Sequence, residues 1–160
     1  MEKSINLIVK PKWNDVEEVR NKSTDFLRSN GFSKDGTEAI TMVISELIEN
    51  GIKYGSFASE DNVTANIHIG DKILTVEVIH PVDETTYVHL RNLDKTIQWI
   101  RGFQDPFEAF IERLKEVSKK PLGDEESGFG LVRIAYEGKA ILDFFVNEDN
   151  ILNVSAVSNF

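Results

Sequence analysis

The sequence predicts an α+β fold, a two-layer sandwich in which helices cover one face of a mixed, mostly antiparallel sheet. Three observations predict it. Segments alternating with period two occur at the start of the chain and in two later pairs, each pair split by a short polar turn. Segments with helical spacing lie between them. Their order is strand, two helices, hairpin, helix, glycine loop, short helix, hairpin, which is satisfied by helices gathered on one face of a sheet. At 160 residues, with no internal repeat or linker, residues 1–160 are expected to form a single domain.

The elements follow in order. "SINLIVKP" puts Ile5, Leu7 and Val9 on one side of a strand that Pro11 closes. In "NDVEEVRNKSTDFLRSNGF", Asn14 is the expected cap, acids fill the first turn, and Val16, Val19, Phe26 and Leu27 share a stripe, with Gly31 as the stop. A second helix starts near Ser33. "VTANIHIGDKILTVEVIH" reads as a hairpin about Gly70 and Asp71. "PVDETTYVHLRNLDKTIQWIRGFQ" gives only a short strand followed by a loop or short helix. "DPFEAFIERLKEVSKK" carries Asp105 as cap and Pro106 at the first helical position, with an expected core stripe from Phe107 through Phe110, Ile111 and Leu114 to Val117. "PLGDEESGFG" is a turn-rich loop, "LVRIAYEG" a short helix ending at Gly138, and the remainder a hairpin about "NEDN". The helices are thus expected near residues 14–30, 34–54 and 106–119. Trp13 and Trp99 are expected to be packing residues.

Composition narrows the function classes. A net charge of −9 argues against a direct nucleic-acid partner, which needs a basic footprint. The chain has no cysteine, hence no thiol nucleophile, disulfide or thiolate metal site. No apolar run is long enough to span a membrane, and the opening residues lack the apolar core of a signal peptide, so a cytoplasmic location is expected. The three histidines, His68, His80 and His89, are too dispersed for a metal motif.

One stretch asks for an explanation. "SELIENGIKYG", residues 45–55, carries Glu46, Asn50 and Lys53 inside a helix that buries Ile40, Ile44, Leu47 and Ile48. At 100° per residue the three polar groups fall within an arc of roughly 60°, a stripe beside the core face. Solvated surface is the bland reading of such a stripe. The alternative needs a second element to close over it, and "SGFG" supplies one, with Ser127 and with Gly128 and Gly130 flanking Phe129 just before a helix. Glycines let backbone approach a ligand, and the first amides of a helix bind anions. A tight turn explains a lone G-x-G equally well. Together the two segments make a parts list for phosphoryl transfer: a carboxamide oxygen for Mg²⁺, amides for phosphate, a carboxylate base and a lysine point charge.

Those two stretches, "SELIENGIKYG" and "ESGFGLVRIAYEG", resemble the N box and the second glycine box of the GHKL ATPases, the Bergerat-type fold of gyrase and the histidine kinases. Within that superfamily the size and helix pattern resemble the bacterial anti-sigma-factor serine kinases, and the insertion "FIERLKEVSKKPLGDEESGFGL" resembles the SiaB-type regulatory kinases more closely. The resemblance implies Glu46 as general base, Asn50 as Mg²⁺ ligand and Lys53 as a basic neighbour of the phosphates. Ser127, Gly128, Gly130 and Leu131 fall in the implied phosphate-binding box. It further implies ATP and Mg²⁺ as cofactors and a cytoplasmic regulator in bacterial partner switching. Such a regulator binds a small STAS-like antagonist, and a sigma factor or another regulator, and phosphorylates the antagonist on serine or threonine. In the anti-sigma relatives the region matching the first helix helps dimerise, so a homodimer is a further expectation.

The sequence departs from the family at one box. The aspartate-led first glycine box should follow the strand "LTVEV", but the chain runs "IHPVDETTY", with His80 where the adenine-binding aspartate stands. Asp124, Glu125 and Glu126 also place negative charge beside the glycine loop. His80 and the missing first box favour a rival reading, a non-catalytic protein-binding module on the same fold with a decayed nucleotide site. Glu46 and Asn50 favour the kinase.

Overall fold

The computed structural model describes residues 2–119 and 129–160. Five strands form one sheet: β1 (Lys3–Val9), β2 (Val63–Ile69), β3 (Ile73–Pro81), β4 (Ala140–Val146) and β5 (Ile151–Asn159). Their order is β1-β2-β3-β5-β4, and every pair is antiparallel. The α+β sandwich is therefore observed, with a sheet that is antiparallel at every pairing among the described residues.

The alternation read from the sequence sets the sheet's two faces. Leu142, Ala156, Val76, Ile67 and Ile5 are paired in succession, forming one row that crosses all five strands on the inner face. Rows on either side bury Leu74, Val78, Val63 and Ala65. The opposite face is open: Ile8, Ile141 and Phe145 are exposed there, and a polar row joins Asn6 to Asn66 at 2.6 Å and Asn153 to Glu77 at 2.9 Å.

The helices are α1 (Trp13–Ser29), α2 (Lys34–Tyr54), α3 (Tyr87–Arg101), α4 (Pro106–Ser118) and α5 (Phe129–Tyr136). The α2 helix is the spine of the helical layer. It starts where Ser33 Oγ accepts the Gly36 amide at 3.0 Å, and it buries Ile40, Val43, Ile44, Leu47 and Ile48. The chain enters it through Gly31, whose φ of 86° lies in the left-handed region. The α4 helix starts as expected, with Asp105 Oδ1 accepting the Phe107 amide at 2.9 Å ahead of Pro106.

Four expectations need correction. Asn14 is not the cap of α1: the helix begins at Trp13, no side chain caps it, and the neighbouring Asp15 carboxylate instead accepts the Lys10 amide. Trp13 is not a packing residue, with 57% of its surface exposed. The α4 stripe is not core: none of its members is buried, Phe107 and Leu114 are 43% exposed, and the helix's one buried residue, Ala109, lies off the stripe. That helix lies over α5, stacking Phe110 on Phe129 and Tyr136, so it borders the core without entering it. Finally, residues 87–101 form a full helix where a short strand and then a loop or short helix were expected. A short 3-10 turn (Glu84–Thr86) leads into it, capped by Asp83, which accepts the Thr85 amide at 2.8 Å.

Candidate functional site

The polar stripe of α2 faces a cleft. Its walls are α2 on one side and α3 on the other, the latter through His89, Leu90, Asn92, Leu93 and Thr96. The floor is the end of β3 and the start of β5, with His80, Val82, Leu152 and Val154. The start of α5 closes one end with Phe129, Gly130 and Leu131, and Trp13 stands at the edge. The cavity measures about 290 Å³, near the lower end of what small-molecule sites enclose. Glu46, Asn50 and Lys53, grouped by spacing alone, all line it.

Glu46 and Gly130 meet directly. A Cβ built on Gly130 would overlap the Glu46 carboxylate, so any other residue there would make that carboxylate move. Arg133, one turn further along α5, donates from Nη1 to Glu46 Oε1 at 3.2 Å and from Nη2 to Glu137 at 3.0 Å. Burial and the nearby Glu49 carboxylate push the Glu46 carboxyl above its ordinary value, while Arg133 and Arg20 act against that rise. Arg20 itself is committed to α2, donating to Ser45 Oγ at 3.0 Å and to Glu49 at 3.3 Å. Glu46 is thus a partly desolvated carboxylate held in place by one guanidinium, and its raised pKa suits a proton acceptor.

Asn50 lies one turn beyond Glu46, half-buried on the cleft wall. Its carboxamide makes no hydrogen bond among the described residues, which leaves the oxygen for a ligand. Lys53 Nζ lies 5.2 Å from the Tyr54 ring centroid. Leu131 is buried, 6% exposed, and serves the wall as an apolar residue. Ser127 and Gly128 fall outside the described residues, as does the acidic run at 124–126.

The opposite end of the cleft is built differently. His80 is buried on the inner face of β3, and its Nδ1 lies 3.0 Å from the Pro81 carbonyl oxygen. Its Cδ2–Nε2 edge packs on Gly51 of α2, where a Cβ would come within 2.9 Å of the ring. The ring of Phe57 lies behind it, with centroids 5.8 Å apart. Burial depresses the imidazole's pKa, which keeps the ring neutral near pH 7.

The sequence reading missed two components of this site. One is α3, an entire wall, whose signal was the helical spacing of Leu90, Leu93, Ile97 and Ile100. The other is Arg133, whose contact with Glu46 spans 87 residues and has no local signature. Among the described residues no group of acidic, histidine or cysteine side chains is arranged to hold a metal by itself. None of the described helices is long and apolar enough to cross a membrane. No protein-family model matches this chain, and no curated protein matches it.

Proposed function

We propose that the chain is a cytoplasmic regulatory protein of the GHKL type that binds Mg²⁺–ATP in the α2–α3 cleft and transfers phosphate to serine or threonine of a small STAS-like antagonist. The observation that carries this reading is the contact between Gly130 and Glu46. It brings the backbone at the start of α5 against the carboxylate face of α2, as a site for phosphate beside a base requires.

The residues present fit the implied cofactor. Asn50 supplies a hard oxygen on the cleft wall that no described residue occupies, and Mg²⁺ is commonly held by one or two protein oxygens together with water and phosphate. Held by the Asn50 oxygen, the ion would supply positive charge that offsets the charge on the phosphates. The rest is done by the chain. Glu46 accepts the proton of the attacking hydroxyl, helped by its raised pKa. Gly130 lets the first amides of α5 approach the Glu46 face of the cleft. Lys53, on the same wall, supplies positive charge. Leu47, Val82, Leu152 and Val154 exclude water from the floor.

The non-catalytic binding module stands as a second reading, favoured by a specific observation. Arg133 already occupies Glu46 at 3.2 Å, as it would in a site whose carboxylate serves structure alone. Mixing the protein with ATP, Mg²⁺ and a small STAS-domain protein separates the two, with intact-mass measurement of the second protein. Phosphorylation that is lost in Glu46→Gln supports the kinase. Complex formation with no mass change, with or without ATP, supports the module.

A further inference from the structure

A second cavity lies at the other end of α5 from the cleft. It measures about 520 Å³, within the range of small-molecule sites. The α1–α2 turn, the first turn of α2, the α5–β4 turn and the end of β5 meet around it. Ile40 and Leu74, both buried, give it an apolar floor. The stacked rings of Phe32 and Phe160, with centroids 5.0 Å apart, add an aromatic wall.

Its rim carries charges of both signs. Asp35 and Glu137 stand there with Lys139, and among the described residues Lys139 pairs with neither carboxylate. Lys139 adopts a φ of 50°, so the turn holds a lysine where glycine would be less strained. Glu137 is half-committed. Arg133 donates to its Oε2 from Nε at 3.1 Å and from Nη2 at 3.0 Å, while Oε1 accepts no bond among the described residues. The same guanidinium donates from Nη1 to Glu46 at 3.2 Å, so one arginine joins this rim to the cleft.

We propose that this cavity is an effector site for an apolar α-amino acid, bound as the zwitterion with its ammonium at Glu137 and Asp35, its carboxylate at Lys139 and its side chain on the apolar floor. The charges select that class. A simple amine leaves Lys139 unmatched, and a simple carboxylic acid meets two carboxylates for one lysine. An ammonium at Glu137 competes with Arg133 for that carboxylate. It thereby bears on the guanidinium that holds Glu46, which couples the two sites. None of this depends on a nucleotide in the cleft.

The test is NMR titration of the full isotope-labelled chain, without nucleotide, using L-phenylalanine, phenethylamine and phenylpropionate. The expected result is saturable shifts at the amides of Gly31, Gly36 and Lys139, with L-phenylalanine tightest. Phenethylamine should bind about two- to fivefold more weakly, the worth of one exposed charge pair, and phenylpropionate most weakly. In Lys139→Met, L-phenylalanine should lose its advantage over phenethylamine. An apolar pocket without charge selection would bind all three alike and ignore the substitution, which overturns the assignment, as does an absence of shifts at those amides. The wild-type series needs no variant, so it decides even if Lys139→Met does not fold. The Glu46 carboxyl carbon should also shift as L-phenylalanine saturates, and a resonance that stays put overturns the effector role. Either failure leaves nucleotide binding, measured separately, as it was.

Discussion

Gly130 lies so close to Glu46 that the carboxylate occupies the space where any other residue would carry its Cβ. The two are 84 residues apart in sequence, and their contact joins the end of the cleft to its polar wall.

Gly130→Ala should therefore move the Glu46 carboxylate. A carboxylate is the far end of a flexible side chain, so the stability cost should be modest, about 1 kcal/mol or a little more. The cost should largely vanish in a Glu46→Ala background, where nothing opposes the methyl group. Denaturant unfolding of the four proteins in that cycle measures the coupling. Additive effects would show that the two residues do not meet.

Arg133 should hold down the Glu46 pKa. It is the guanidinium bonded to the carboxylate, and it opposes the rise caused by burial and Glu49. Arg133→Met should shift the Glu46 carboxyl titration to higher pH, read by carbon NMR of labelled glutamate. An unchanged or lower midpoint would contradict the ion pair.

Much of this arrangement was legible in the sequence, and what was missed has physical causes. The α2 register was readable because Ile40, Ile44, Leu47 and Ile48 repeat at helical spacing, and that register alone put Glu46, Asn50 and Lys53 on one wall. The hairpins were readable because Gly70–Asp71 and the run at 147–150 interrupt strict alternation. Helix α3 was obscured by its own polar residues: only Ile97 and Ile100 are fully buried, and the preceding 3-10 turn blurs the start. The α4 stripe misled because Phe107 and Leu114 have core chemistry but meet solvent on one side. Arg133 could not be found, since an ion pair formed between distant elements leaves no periodic trace.

Stability should depend on pH through Glu46 in a definite direction. Its folded-state pKa is raised above the ordinary 4.5, so ionising it costs the folded state. That cost is absent below the unfolded value and grows as pH rises through the folded value. Glu46→Gln should thus melt at a higher temperature than the wild type at pH 7, with the difference shrinking towards pH 3. A variant less stable at pH 7 would mean that the Arg133 pair outweighs burial.

Asn50→Ala and Glu46→Ala should part company. A methyl group cannot replace a carboxamide oxygen, so Asn50→Ala should weaken Mg²⁺-dependent nucleotide binding. Glu46→Ala should bind still, while phosphate transfer to a partner falls roughly 10²–10⁴-fold, the usual worth of a general base. Binding assays paired with single-turnover transfer separate the two effects. Loss of binding in both variants to the same degree would count against distinct roles.

A magnesium–nucleotide site in the α2–α3 cleft should bind its ligand only when both components are present. Calorimetric titration of the folded wild-type protein with ATP, with and without millimolar Mg²⁺, should give a saturable heat that requires the metal. No heat with millimolar Mg²⁺–ATP, on protein that still captures a STAS-like partner, would contradict the claim and leave the binding module.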